Sequence, residues 1–223
     1  MYCAIVPARS GSKRIPKKNL LKFEGETLVE RAVKCGGATD RVIVATESDE
    51  IIELIGGSAE IYLRSQESST DTANILMLLN EMIDNDVLSS DETVILLQPT
   101  SPLRNADHVK AAIELYEQND GRPVVSGYKA DTIPFKFFVA NVDDSFRPYS
   151  KLFAESAQFL PEYFYPNGAL YVFSIKAYEA NNYQLPLQSC SLLDMGHEFS
   201  LDIDTHNDLQ VLKGYGHVEI WAD

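Results

Sequence analysis

The chain has 223 residues, 45% hydrophobic and 23% charged, which suits one globular α/β domain with a substantial core and excludes a disordered chain. Its formal charge is −14, with 19 Lys and Arg against 33 Asp and Glu, so most of the surface repels polyanions and general nucleic-acid binding is disfavoured. The exception is residues 1–23, which hold six cations and no acid and can draw a small anion to one spot.

Tyr2–Pro7 is a short apolar run that reads as a buried strand. Thr27–Cys35 carries Leu28, Ala32 and Val33 at helical spacing and stops at Gly36-Gly37. Val42–Ala45 is a second buried strand, after which Ser48 caps a short helix ending at Gly56-Gly57. Ile61–Leu63 is a third strand, and Thr72 or a neighbour starts a helix containing Ile75, Leu76, Leu79, Met82 and Ile83. Val94–Leu97 is a fourth strand, Asn105 caps a helix to about Glu117, and Val124–Tyr128 is a fifth strand. From about Asp131 to Tyr165 the alternation fails, and Phe135, Phe137, Phe138, Phe146, Phe153, Phe159 and Phe164 stand among polar residues. That stretch is either an insertion with its own strands and an interface, or a long loop packing its aromatics back on the core. Ala169–Phe173 resumes as a strand, Phe199–Ile203 is a last one, and Thr205 caps a final helix around Asn207–Lys213. The alternation predicts one domain over 1–223: an α/β sandwich with a mostly parallel sheet covered on both faces and ligands beyond the strands' carboxyl ends.

No apolar run approaches the roughly 18 residues needed to cross a bilayer. The opening Met1–Pro7 lacks a basic leader, and Cys3, Cys35 and Cys190 form no Cys-x-x-Cys pair, so the cytoplasm is the expected compartment.

Four segments carry chemistry. In Pro7-Ala-Arg-Ser-Gly-Ser-Lys-Arg-Ile-Pro-Lys-Lys-Asn19, the small residues Ala8, Ser10, Gly11 and Ser12 let N–H groups turn towards phosphate oxygens. Arg9, Lys13 and Lys18 add charge, and Lys18 is expected on an exposed loop. A solvated basic loop is the alternative. In Leu97-Gln-Pro-Thr-Ser-Pro-Leu-Arg104 two prolines stiffen a strand exit and Gln98 offers donors and acceptors, or the segment is only a rigid turn. In Ser200-Leu-Asp-Ile-Asp-Thr205, a strand would put Asp202 and Asp204 on one face, where their repulsion asks for a cation such as Mg²⁺. Two acids at a solvated strand end would look the same. Pro166-Asn-Gly-Ala-Leu-Tyr171 is a tight turn feeding a strand. The four histidines show no metal spacing, and no Gly-x-Ser-x-Gly elbow is present.

In this order and spacing the four segments resemble the acylneuraminate cytidylyltransferases, the CMP-sialic acid synthetase family, over nearly the whole chain. The resemblance implies a Rossmann-like three-layer fold of the nucleotide-diphospho-sugar transferase type. It also implies the joining of CTP to an acidic nine-carbon 2-keto sugar with loss of pyrophosphate, using Mg²⁺ or Mn²⁺. By resemblance Arg9, Ser12, Lys13, Lys18 and Asn19, with the small residues of their loop, fall on the nucleotide side, as do Arg64 and the Thr70-Asp71-Thr72 region. Gln98, Lys136 and Tyr171 fall on the sugar side, and Asp202 and Asp204 match the metal carboxylates. Arg9 and Lys18 would stabilise charge on the α-phosphate and leaving group, and Asp204 would act with the metal. Residues 131–165 match a homodimerisation arm that reaches into the partner's site.

Tyr165 stands where sialic acid enzymes often carry arginine, and no arginine stands near Ala157-Gln158, which leaves room for another nonulosonic acid. The Gln98-Pro-Thr-Ser-Pro and Pro166-Asn-Gly forms look less like the pseudaminic acid branch. The alternatives are a CMP-Kdo synthetase, acting on an eight-carbon acid, and a non-catalytic nucleotide-binding protein. Neither nucleic acid nor membrane is an expected partner.

Overall fold

A computed structural model describes residues 1–70, 72–130 and 134–220. Strand β1 (Tyr2–Pro7) is buried on both faces: Cys3 and Ile5 enter one apolar layer, Ala4 and Val6 the other. After the basic loop, β2 (Lys22–Phe23) pairs antiparallel with β3 (Glu26–Thr27). Thr27 then opens α1 (Leu28–Gly36) through a capping box with Glu30. Next come β4 (Arg41–Thr46), α2 (Asp49–Ile55) capped by Ser48, and β5 (Glu60–Leu63). One short turn of helix, α3 (Gln66–Ser69), precedes α4 (Ile75–Asp84), β6 (Thr93–Leu97), α5 (Ala106–Gln118) and β7 (Val124–Lys129). The hairpin β8 (Phe138–Ala140) and β9 (Phe146–Pro148) stands apart from the main sheet. The chain ends with β10 (Phe164–Ser174), α6 (Ile175–Ala180), β11 (Ser191–Asp194), α7 (His206–Leu212) and β12 (Val218–Glu219).

The main sheet has the order β11-β7-β10-β6-β1-β4-β5. All its pairings are parallel except those of β10, which runs antiparallel to both β6 and β7. Helices α1, α2 and α5 cover one face with Val29, Ala32, Ile51, Val109 and Ala112. The other face takes Leu78, Leu79 and Met82 of α4 and Ile175 and Tyr178 of α6. This is the α/β sandwich that the alternation predicts, with the Rossmann-like three-layer form that the resemblance implies. A third apolar cluster holds Ile15, Leu21 and Phe23 against Ile203, Leu209 and Leu212, so the basic loop and the last helix are packed together. No helix among the described residues is long and apolar enough to cross a membrane.

Several sequence expectations are corrected. Residues 199–203 are not a strand: a 3₁₀ turn spans His197–Phe199, and the chain then runs irregularly past the exit of β6, where the Ile203 N–H donates to Thr100 O at 2.8 Å. Leu201 and Ile203 alternate because they pack on the third cluster, not because they line a sheet. The sheet's edge beside β7 is instead β11. The cap of α4 is Asn74 rather than Thr72. Strand β10 begins earlier than expected and takes in the Pro-Asn-Gly turn as an irregularity between Pro166 and Tyr171. Its backbone comes so close to β7 that a Cβ on Gly127 would lie 2.6 Å from Tyr165 O. Of the aromatic insertion, residues 131–133 lie outside the described residues, and the rest has strands of its own in the β8–β9 hairpin.

Candidate functional site

The carboxyl ends of the adjacent strands β1 and β6 open on one cleft, as expected of such sheets. Its deeper part, about 150 Å³, is lined by Arg9, Gly11, Ser12, Lys18, Asn19 and Gln98, among others. Its outer part, about 420 Å³, shares Arg9, Ser12 and Lys18 and adds Lys13, Arg14, Thr72 and Asp204. Thus the basic loop, the exit of β6 and the Asp202–Asp204 segment meet, as the motifs anticipated from three distant parts of the chain.

The loop is shaped by its own contacts. Ala8 N–H donates to Ala45 O at 2.9 Å, and Ser10 N–H and Oγ both donate to Glu47 Oε1 at 2.7 Å. Those two amides, expected to face phosphate, are therefore directed at protein acceptors, and Gly11 and Ser12 are the small residues left facing the cleft. Asn19 Nδ2 donates to Arg9 O at 2.9 Å, and Arg9 Nη1 to Thr70 O at 2.9 Å. Glu47, at the carboxyl end of β4, was missed by the motif reading although its position beyond a strand end is the signal. Burial pushes its carboxyl up, but the Ser10 hydroxyl and amide and the Arg64 charge outweigh that, and the net displacement is downward. Arg64 does not line the cleft; burial and the nearby Arg9 lower its guanidinium, with Glu47 opposing, and it donates to Ser68 O.

Lys18 is not exposed. Its side chain is 14% accessible, and Nζ donates to Ile203 O at 2.7 Å and to Asp204 Oδ1 at 3.0 Å. Arg14 Nη1 reaches Asp204 Oδ2 at 3.3 Å, a partner the sequence reading missed. Asp204 is thus already balanced by two cations. Asp202 is different: burial lifts its carboxyl, Asp204 and Asp208 add to the lift, and the Thr100 hydroxyl and Lys18 oppose it. Its Oδ1 is buried with no donor among the described residues. An open carboxylate oxygen beside a second carboxylate suits a hard cation, and Mg²⁺ usually takes only one or two protein carboxylates. Among the described residues no group of three or more His, Cys, Asp or Glu gathers, so a cation here would draw further oxygens from substrate or water.

Of the residues that the resemblance gives to the sugar, Gln98 lines the cleft, and Tyr171 on β10 is half-buried close enough to Asp202 for that charge, after burial, to raise its phenol. Lys136 is not brought there. Its Nζ donates to Phe153 O and Glu155 O at 2.5 Å each, within the arm. Two buried residues brace this end. Asn167 accepts from Ser126 Oγ at 2.6 Å and donates to Ser200 Oγ at 2.9 Å, tying the β10 turn to the segment that delivers Asp202. Arg104 donates through Nη1 to Gln98 O at 2.8 Å and Ala169 O at 2.6 Å, clamping the exit of β6 to β10. The last residue of the Gln98–Arg104 motif is thus part of the scaffold behind Gln98.

A family model described as cytidylyltransferase matches residues 3–185. The chain belongs to the cytidylyltransferase family. It is 30% identical over 220 residues to an N-acylneuraminate cytidylyltransferase of Streptococcus agalactiae, covering 95% of this chain and 52% of that protein. It is 28% identical over 219 residues to a pseudaminic acid cytidylyltransferase of Campylobacter jejuni, covering 94% of this chain and 93% of that one. The chain therefore spans about half the length of the first of these relatives and nearly all of the second. Among solved structures, a CMP:2-keto-3-deoxy-manno-octonic acid synthetase complexed with CTP aligns with a TM-score of 0.67 at 17% identity, covering 96% of this chain and 97% of that one, a likeness of fold.

Proposed function

We propose that this cytidylyltransferase joins CTP to a nonulosonic 2-keto acid sugar, forming the CMP-sugar and releasing pyrophosphate. The observation that carries the reading is one cleft holding Arg9, Ser12, Lys13 and Lys18 opposite Asp204 and next to Gln98. The polyanion of CTP suits the rim of Arg9, Lys13, Arg14 and Lys18, and positioning with charge neutralisation supplies most of the catalysis in such transfers. Arg9 and Lys13 would hold the triphosphate and stabilise the charge that grows on the leaving pyrophosphate. Lys18 has a double role, holding Ile203 O and Asp204 in place while lining the cleft itself. Gln98 would orient the sugar, and the Tyr171 phenol, a donor that burial and Asp202 hold further towards its protonated form, can donate a hydrogen bond there.

Asp202 and Asp204 would hold Mg²⁺, with Mn²⁺ as a substitute; bound there, the cation would neutralise phosphate charge and acidify a nearby hydroxyl. The exposed aromatics Phe137, Phe138, Phe146 and Phe159 support a homodimer formed through the arm. In it, Lys136 would serve the site from its own arm or the partner's. A single domain working on CTP in the cytoplasm completes the reading.

The test is to incubate the protein with CTP, Mg²⁺ and each of several acidic sugars and to weigh the product. A CMP-sugar with a nine-carbon acid supports the proposal. A product only with the eight-carbon acid favours the Kdo reading, and no product with any acid overturns both.

A further inference from the structure

Behind the cleft, on the far side of Arg104, lies a second cavity of about 210 Å³ between the end of α1 and the start of α5. Arg31, Lys34, Cys35 and Arg104 line it, with Glu26 and Ala106. Glu26 bridges two of the cations, at 3.3 Å from Arg31 and 2.8 Å from Lys34. Arg104 is 3% exposed. Its neighbours include two backbone carbonyls, the Cys35 thiol, His108 and the like-charged Arg31; among the described residues it forms no ion pair with a carboxylate, and its Nε has no hydrogen-bond partner. A buried guanidinium left without counter-charge is costly. Three cations against one carboxylate leave the pocket positive in a chain whose overall charge is −14.

We propose that this cavity is an oxyanion site, taking inorganic phosphate or pyrophosphate, whose occupation is felt in the cleft through Arg104. Guanidinium and ammonium donors suit phosphate oxygens, and an anion here would supply the counter-charge that Arg104 lacks. The same guanidinium holds Gln98 O and Ala169 O, so an anion that drew it towards the cavity would act directly on the carbonyl of a cleft-lining residue. The site is separate from the triphosphate cradle: none of the residues lining one lines the other.

Titration of the ¹⁵N-labelled protein with inorganic phosphate and, separately, with pyrophosphate tests this without reference to turnover. The amides of Cys35 and Ala106 should shift saturably, accompanied by that of Gln98. Lys34→Glu should weaken that titration about tenfold, as loss of a charge-assisted contact and its replacement by repulsion would. Lys34→Gln should weaken it less, and the Ser12 and Lys13 amides in the cleft should titrate as in the wild type in both variants. The anion that saturates the cavity at lower concentration identifies the source. Shifts confined to Ser12 and Lys13, shifts at Cys35 and Ala106 reproduced by sodium chloride of equal ionic strength, or an unchanged midpoint in Lys34→Glu would each overturn the site.

Discussion

The basic loop of residues 8–19 and the arm of residues 134–163 are both poor in regular structure, yet they are built in opposite ways. The loop is tied down at nearly every turn: Ala8 to β4, Ser10 to Glu47, Lys18 to Ile203 and Asn19 back onto Arg9. Its apolar residues Ala8 and Ile15 point inward and are buried, as are Leu20 and Leu21 just after it. The arm keeps a two-stranded hairpin, a unit that is marginal by itself, and turns Phe138, Phe146 and Phe159 outward at 55%, 68% and 73% exposure. Irregular backbone becomes a rigid site where the rest of the fold supplies its partners. Where apolar side chains remain outside, they form a surface that the proposed dimer would cover.

Breaking the loop side should have the largest effect. Asp204→Asn should lower turnover by about 10²–10³-fold, the scale of losing a preorganised charge at a phosphoryl-transfer site, with the fold retained by circular dichroism. Lys18→Ala should cost roughly ten- to a hundredfold in rate, from a contact worth about 1.5–3 kcal/mol. Because Lys18 is largely buried and holds Ile203 O, it should also lose stability in urea, unlike a surface lysine. In the double variant the two rate losses should fall short of multiplying, since the side chains touch.

The arm is broken by charge. Phe146→Asp with Phe159→Asp should convert a dimer into a monomer in sedimentation at micromolar concentration, with little change in melting temperature, because neither ring is buried in the single chain. A wild type that sediments as a monomer removes the interface.

A smaller effect sharpens the contrast within the cleft. Asp202 is raised by burial above the ordinary carboxyl value of about 3.9, so the folded state holds its proton more tightly than the unfolded one. Stability from this group is present at low pH and is lost as pH rises through that value towards the raised one. In chelator, Asp202→Asn should therefore melt above the wild type at pH 7, by roughly 2–4 °C for each kcal/mol relieved, and level with it near pH 3. Smallest of all is the exposed Lys129–Glu162 pair at the root of the arm, where Lys129→Ala should leave the melting curve unchanged.

Much of the fold was legible because its signals are local. Ser48, Asn105 and Thr205 each cap the helix expected of them, and the apolar runs at Tyr2–Pro7 and Val94–Leu97 are buried central strands. What failed depends on distant partners. The alternation of Leu201 and Ile203 mimics a strand because both serve the third apolar cluster, while β11 is a four-residue edge that gains its identity only by pairing with β7. The direction of β10 is likewise set by its neighbours and leaves no mark on its residues. At the site, Arg9, Ser12, Lys13, Lys18 and Gln98 stood out through motif and position, and they do converge. Glu47 lay outside the motifs, and Arg14, Asn167 and Arg104, though inside them, drew no role of their own, since each acts by holding a residue far away in sequence.

The central claim is that this cleft transfers a cytidylyl group, and pyrophosphate release tests it most directly. With Mg²⁺ and a panel of nonulosonic acids, the wild type should release pyrophosphate from CTP only when an accepted acid is present, and Asp204→Asn should release it at least about a hundredfold more slowly. Failure to release pyrophosphate with any acid, or equal rates in wild type and Asp204→Asn, would contradict the account.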